Sequence, residues 1–186
     1  ICKASMLSPD AQCKSFDAAA NGYVRSEGAG LLAVKKLSEA LKDGNNVLAV
    51  IKATSVNQDG QTSGITVPNG DAQQILLQKS LAKAGLRGSD IQYAESHGTG
   101  TAVGDPIEVN ALGKTLGARK SHLQRCIIGS VKSNIGHTEA AAGVAGIIKT
   151  VMAMNSGMIP GNIHYYNTNP GINLKALNIA IAGQNT

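Results

Sequence analysis

Apolar residues along the chain follow two alternating patterns, short continuous runs and longer stretches with helical spacing. The continuous runs predict strands at residues 30–37, 47–54, 91–95, 126–131 and 177–182. The second of these is β-branched and apolar almost throughout, which is typical of a central strand. Helices are predicted at residues 38–42, 71–86, 105–116 and 138–154. Such alternation favours an α/β fold.

Several residues at the ends of these elements are suited to start a helix. Ser38, Asp71 and Asp105 are each predicted to cap a helix, with Pro106 in the first turn after Asp105. Residues 57–71 contain an Asp-Gly and an Asn-Gly pair, which predict a long loop. No stretch has the composition of a domain linker, so a single domain is expected.

The stretch after the fourth predicted strand combines a loop with the most apolar helix of the chain. Residues 132–137 are predicted to form the loop, and residues 138–154 are apolar on nearly every face of a helix. A helix of that kind is typically buried in the middle of a protein. Its apolar run, residues 140–154, contains Lys149 and is shorter than the ~20 residues of a membrane helix. Membrane association is therefore not expected.

Composition and charge narrow the class of protein. The chain has 186 residues, 42% hydrophobic and 16% charged, which excludes a largely disordered chain. Glycine is frequent and aromatic residues are only 3%, as in a layered α/β enzyme. The net charge is +5, but the only adjacent basic residues are Lys35-Lys36 and Arg119-Lys120. Because phosphate binding needs clustered charge, a nucleic-acid partner is not expected.

The three cysteines, Cys2, Cys13 and Cys126, stand in no metal-ligand or redox spacing. The chain begins at Ile1 without a signal peptide, as if cut from a longer protein. A reduced, cytoplasmic setting without a bound metal is therefore expected.

Two predicted strands run into similar polar, glycine-containing loops that each carry a histidine, His97 and His137. In open α/β sheets, ligands bind beyond the carboxyl ends of the strands. Two imidazoles delivered there could stabilise or transfer charge on one substrate. His122 and His164 have no such setting and are interpreted as surface or packing residues.

Five stretches of the chain carry a family resemblance in the family's own order. They are residues 8–17 (SPDAQCKSFD), 22–30 (GYVRSEGAG), 56–69 (VNQDGQTSGITVPN), 95–108 (ESHGTGTAVGDPIE) and 129–143 (GSVKSNIGHTEAAAG). In these stretches the chain resembles the β-ketoacyl synthase domain of type I modular polyketide synthases.

The resemblance implies an α/β fold of the thiolase-like type, with αβαβα layers, of which this chain would be an incomplete fragment. Residues 1–45 would end the first thiolase-like half, and residues 46–186 would form most of the second. The implied reaction is a decarboxylative Claisen condensation between a malonyl-type extender on an acyl carrier protein and an enzyme-bound acyl chain. The enzyme class is therefore an acyltransferase, working as a homodimer.

The resemblance also implies roles for six residues. His97 and His137 would donate hydrogen bonds from Nε2 to the extender's thioester carbonyl, Lys132 would orient the site, and Glu139 would pair with Lys132. Thr99 and Thr101 would hold the phosphopantetheine arm of the carrier protein, so no cofactor binds the chain directly.

The family's nucleophilic cysteine lies in a Cys-Ser-Ser motif that this chain lacks. Cys2, Cys13 and Cys126 are outside that context, so the 186 residues alone are expected to be inactive. Two alternatives remain open, a fatty-acid-type ketosynthase and a non-catalytic chain-length or scaffold partner of the same fold. The residue at the nucleophile position would separate an enzyme from a partner.

Overall fold

A computed structural model describes residues 6–64, 66–118 and 125–183. Its centre is a parallel sheet of three short strands, β1 (Tyr93–Glu95), β2 (Cys126–Gly129) and β3 (Ile179–Ile181), in that spatial order. In the register of β1 and β2, Glu95 lies opposite Gly129. Because both strands end at the same edge, the loops that follow them begin side by side.

The helices are α1 (Leu37–Lys42), α2 (Gly70–Ala84), α3 (Gly104–Leu116), α4 (Lys132–Ile135), α5 (Ala142–Ser156) and α6 (Leu174–Leu177), with 3₁₀ turns at Gly88–Asp90 and Glu139–Ala141. This element order confirms the α/β prediction. No helix in the described part of the chain is long and apolar enough to span a membrane.

The hydrophobic core lies between α3 and the sheet. Its buried members are Phe16, Val109, Leu112, Leu116, Cys126, Ile128, Ile172 and Ile179. Helix α2 packs along α3, and its Leu77 and Leu81 add to this core. The core therefore fixes α3, whose first turns face the loop after β1.

The predicted strands at residues 30–37 and 47–54 are wrong, because neither segment is a strand in the structure. Leu31 is 96% exposed, Val34 is 75% exposed and Ile51 is 62% exposed. A strand forms only where a neighbouring strand accepts and donates its backbone hydrogen bonds, and the described residues supply no such neighbour here.

Three predicted helix caps are also wrong. The N-cap of α1 is Lys36 rather than Ser38, and the N-cap of α2 is Asn69 rather than Asp71. The Asn69 side chain accepts the backbone N–H groups of Asp71 and Ala72, so the helix begins earlier than its first acid suggests. The N-cap of α3 is Val103, and Asp105 lies in the first turn, where it accepts backbone N–H groups of the preceding loop.

The region after β2 departs from prediction in two ways. The predicted loop at residues 132–137 contains the short helix α4. Helix α5 is predicted to be buried, but none of its residues is fully buried in the structure. One of its apolar faces instead lines an open groove of about 630 Å³ with residues 28–30. The remaining predicted strands and long helices are confirmed, with ends shifted by a few residues.

Candidate active site

The loop after β1 is held by a carboxylate on α3. Glu108 accepts the backbone N–H of His97 at 2.6 Å and that of Gly98 at 2.8 Å, one on each carboxylate oxygen. Gly98 has φ +41°, and a Cβ there would lie 2.7 Å from the Cβ of Ser130. The loop therefore needs glycine at this position, both for its backbone conformation and for its approach to the next loop.

A second acid at the start of α3 binds the same loop. Asp105 is buried and accepts the backbone N–H of Gly100 at 3.2 Å and that of Phe16 at 2.8 Å. Burial raises the pKa of Asp105 to about 6, against the opposing effect of these donors. Burial likewise raises the pKa of Glu108 to about 7.

The loop after β2 delivers His137 beside a segment near the amino end of the chain. The backbone N–H of His137 donates to the carbonyl of Val24 at 2.7 Å, and the His137 carbonyl accepts the N–H of Ser26 at 3.0 Å. This short parallel pairing fixes the backbone of His137 against Arg25, its bridge partner from a distant part of the sequence.

The structure brings the two imidazoles together. The ring centroids of His97 and His137 are 5.2 Å apart with planes at 82°, and the Tyr23 ring lies 5.4 Å from that of His137. The backbone N–H of Glu139 donates to Nδ1 of His137 at 3.0 Å. Because Nδ1 accepts this bond, the proton of the neutral ring resides on Nε2.

The surroundings of both imidazoles favour the neutral form, because each pKa is lowered. The pKa of His97 falls to about 4, first through burial and then through the charges of Lys132 and His137. His97 is exposed to solvent and lines the cavity, and the protein that surrounds it on its other sides disfavours its charged form. Burial and the charge of Lys132 also lower the pKa of His137, with Glu139 acting in the opposite direction.

Lys132 lies near the two rings and is only 5% exposed. Burial lowers the pKa of its ammonium group, while the charges of Glu108, Glu95 and Asp105 raise it. The expected pairing of Lys132 with Glu139 is not present in the structure. Glu139 instead forms a two-bond ion pair with Arg25, at 2.7 and 3.0 Å, because the parallel pairing of Arg25 with His137 brings Arg25 close to Glu139.

The hydroxyl groups of Thr99 and Thr101 lie beside a cavity that also receives both imidazoles. Their oxygens are 3.3 Å apart, and the cavity has a volume of about 670 Å³. That volume is within the range of small-molecule sites. Glu108 and Asp105 also contribute to its wall.

Neither described cysteine is an exposed thiol. Cys13 is buried, its sulfur accepts the N–H of Val24 at 3.2 Å, and burial raises the pKa of its thiol. Cys126 is fully buried in β2. A reactive thiolate needs a lowered pKa and access, so neither cysteine has the properties of a nucleophile. Cys2 and His122 lie outside the described residues.

Sequence reasoning missed Glu108 and Asp105 as parts of this site. They are three positions apart on α3, a spacing that puts both carboxylates on one helix face. That spacing, directly after a histidine-bearing loop, is the signal that could have found them. Arg25 and Tyr23 carried no comparable signal, because only the folded chain brings them to His137.

Replacing Glu108 by glutamine should lower the free energy of unfolding by about 1–3 kcal/mol. The introduced amide offers one acceptor where the carboxylate offers two, so either His97 N–H or Gly98 N–H loses its partner. Denaturant unfolding of Glu108→Gln, compared with the exposed control Glu39→Gln, measures this loss. Equal unfolding midpoints for the two variants would mean that the carboxylate does not hold the loop.

Family models match two parts of the chain. "Beta-ketoacyl synthase, C-terminal domain" covers residues 48–166, and "Beta-ketoacyl synthase, N-terminal domain" covers residues 1–40. The chain therefore belongs to the β-ketoacyl synthase family.

Curated relatives include a phenolphthiocerol/phthiocerol polyketide synthase of Mycobacterium tuberculosis, 51% identical over 95% of this chain and 8% of the relative. The reducing polyketide synthase hmp8 of Hypomyces subiculosus is 50% identical over 94% of this chain and 7% of its own length. The chain thus spans less than a tenth of each of these two relatives.

Solved structures give the same fold. The ketosynthase from module 6 of the bacillaene synthase of Bacillus subtilis 168 matches with a TM-score of 0.94 and 41% identity, over 100% of this chain and 34% of that one. The ketosynthase from module 1 of the bacillaene synthase of Bacillus amyloliquefaciens FZB42 matches with a TM-score of 0.93 and 39% identity, over 99% of this chain and 34% of that one. The expected thiolase-like fold is therefore confirmed, and the chain spans about a third of these two ketosynthase chains.

Proposed function

We propose that this chain supplies the decarboxylation site of a polyketide synthase ketosynthase, an acyltransferase that performs decarboxylative Claisen condensation. The observation that carries the proposal is the tautomer of His137. Its Nδ1 accepts the Glu139 N–H, so Nε2 is free to donate, and the ring lies 5.2 Å from that of His97 in one cavity. Two neutral imidazole donors in one cavity suit an anionic intermediate.

In the proposed reaction the malonyl-type extender enters as a thioester on phosphopantetheine. The bond between its α-carbon and carboxylate breaks, CO₂ leaves, and the electron pair forms an enolate whose negative charge resides on the thioester oxygen. Nε2–H groups of His97 and His137 stabilise that oxygen. The enolate carbon then attacks the acyl thioester on the enzyme, forming a carbon–carbon bond and releasing the cysteine thiolate. Thr99 and Thr101 bind the arm beside the imidazoles.

The nucleophilic cysteine of this reaction is proposed to lie outside the 186 residues. Burial of Cys13 and Cys126 supports that assignment. The proposed partner is an acyl carrier protein that brings both thioesters, and the complete domain is proposed to act as a cytoplasmic homodimer without a nucleic-acid partner. About 50% identity to polyketide synthases favours this assignment over a fatty-acid-type ketosynthase. The pair of adjacent imidazoles in one cavity, each with a lowered pKa, favours an enzyme over a non-catalytic partner.

The proposed function is tested with the protein that contains this chain together with the expected cysteine. Incubated with a malonyl thioester of an acyl carrier protein, it should release CO₂ and, when first loaded with an acyl group, form a β-ketoacyl thioester. Both products are measured by mass spectrometry and radiolabel release. Acylation without any CO₂ release would contradict the decarboxylation site.

Replacing Lys132 by alanine should slow CO₂ release, and the fall of that rate at acid pH should begin at a higher pH than in the wild type. The charge of Lys132 helps to hold the His97 pKa at about 4, so removing it lets that pKa rise and leaves fewer neutral rings in mild acid. Lys132→Arg keeps the positive charge but replaces the ammonium with a larger, planar guanidinium group. The acid limb of its pH profile should therefore stay near the wild-type position, while the rate of CO₂ release falls modestly. A pH profile of CO₂ release measures both effects, and a wild-type profile for Lys132→Ala would limit Lys132 to a structural role.

A further inference from the structure

A partly buried polar cluster adjoins Val131, the residue directly before Lys132 and α4. One carboxylate oxygen of Glu95 accepts the Lys149 ammonium at 2.7 Å and the Tyr93 hydroxyl at 2.5 Å. The other oxygen accepts the backbone N–H of Val131 at 2.5 Å. The side chains of Lys149 and Glu95 are only 13% and 12% exposed. The carboxylate thus joins β1, α5 and the residue directly before Lys132.

Two glycines leave the space that this cluster occupies. A Cβ on Gly146 of α5 would lie 3.1 Å from Cγ of Glu95. A Cβ on Gly129 of β2 would lie 2.9 Å from the Tyr93 hydroxyl and 3.3 Å from the Lys149 ammonium. The backbone is therefore shaped around these side chains at two independent places, which favours a specific role over incidental pairing.

The Glu95 carboxylate and the Lys149 ammonium of the cluster stabilise each other. A buried carboxylate without a partner is strongly unfavourable, and the Lys149 ammonium supplies the nearby opposite charge. Lys149 also lies 5.5 Å from the centre of the Tyr93 ring, a favourable cation–π distance. Burial and the carboxylate raise the pKa of Tyr93, so its hydroxyl keeps the proton that it donates.

We propose that Glu95 is a positioning residue, which fixes the Val131 backbone and so the placement of Lys132 near the two imidazoles, with Lys149 as its required counter-cation. This inference rests on the proposed decarboxylation function. Charge-assisted hydrogen bonds from three donors give Glu95 one orientation. The negative charge of Glu95 also acts directly on Lys132, where it favours the ammonium form.

The kinetic test uses three variants in the protein that contains this chain. Lys149→Met leaves Glu95 buried without its counter-charge, and should lower the kcat of CO₂ release about tenfold or more with little change in KM for a malonyl thioester. The double variant Glu95→Gln/Lys149→Met is neutral and retains an acceptor for Val131. It should be several-fold faster than Lys149→Met alone. The control Arg87→Met removes a cation from an exposed ion pair and should match the wild type.

A second measurement does not depend on activity. Hydrogen exchange of the peptide spanning residues 130–137 should accelerate in Lys149→Met, recover in the double variant and remain at the wild-type rate in Arg87→Met. Unchanged exchange in Lys149→Met, or wild-type kcat in that variant, would overturn the inference. If the wild-type protein released no CO₂, the proposed function would fail, while the exchange rates would still decide whether Glu95 and Lys149 hold this loop.

Discussion

Replacing His137 by alanine in the protein that contains this chain should abolish CO₂ release from a malonyl thioester while leaving cysteine acylation largely intact. The expected loss is about 10²–10⁴-fold, the usual contribution of a positioned proton donor or acceptor. The reason is that His137 is proposed to donate directly to the enolate oxygen, whereas a cysteine nucleophile can be activated by its own surroundings. Both half-reactions are measured separately, by CO₂ release and by intact mass of the acyl-enzyme.

His164 provides the matched control for this variant. It lies outside the cavity and adopts φ +60°, a backbone conformation that asparagine tolerates, so His164→Asn should fold and release CO₂ at the wild-type rate. If His137→Ala also released CO₂ at that rate, the assignment of the decarboxylation site would be wrong.

The 186 residues expressed alone should bind a hydrophobic dye and acylate none of their cysteines. Residues 28–37 and 47–54 expose large apolar side chains, and one face of α5 lines an open apolar groove. At ~25 cal/mol per Å², a few hundred Å² of apolar surface left in water amounts to about 5–10 kcal/mol, comparable with a whole folding free energy. Dye fluorescence and light scattering test the surface, and intact mass after incubation with an acyl thioester tests the cysteines.

The control for this experiment reduces the apolar surface without touching the cavity. Leu31→Ser combined with Val34→Thr replaces two exposed apolar side chains and should weaken dye binding. A monodisperse chain that binds no dye would contradict the prediction for the surface. Rapid acylation of Cys13 or Cys126, abolished by changing His97, would contradict the placement of the nucleophile.

Local signals predicted the helices better than the strands. Helices α2 and α3 form internal hydrogen bonds, so the spacing of their apolar residues was enough to predict them, although their capping residues were not. Residues 30–37 and 47–54 have strand composition, but a strand depends on a partner elsewhere in the chain. Their apolar pattern therefore predicted strands, but the described residues contain no strand that pairs with either segment.

The site was predictable where it follows from sheet topology. His97 and His137 follow neighbouring parallel strands, and that arrangement predicted their proximity. The partner of Glu139 was not predictable, because Arg25 is 114 positions away and no local pattern links the two. The contacts of Glu95 with Val131 and Lys149, which are 36 and 54 positions away, were missed for the same reason.

The central claim is that two neutral imidazoles donate from Nε2 to the thioester oxygen of the extender. The most direct test is ¹⁵N NMR of the histidine side chains at pH 7, in the protein that contains this chain, with and without a malonyl thioester analogue that cannot lose CO₂. The account predicts a proton on Nε2 and none on Nδ1 of His137, a neutral His97, and a shift of both Nε2 signals when the analogue binds. A doubly protonated ring, a proton on Nδ1 of His137, or Nε2 signals that do not shift when the analogue binds would contradict this claim.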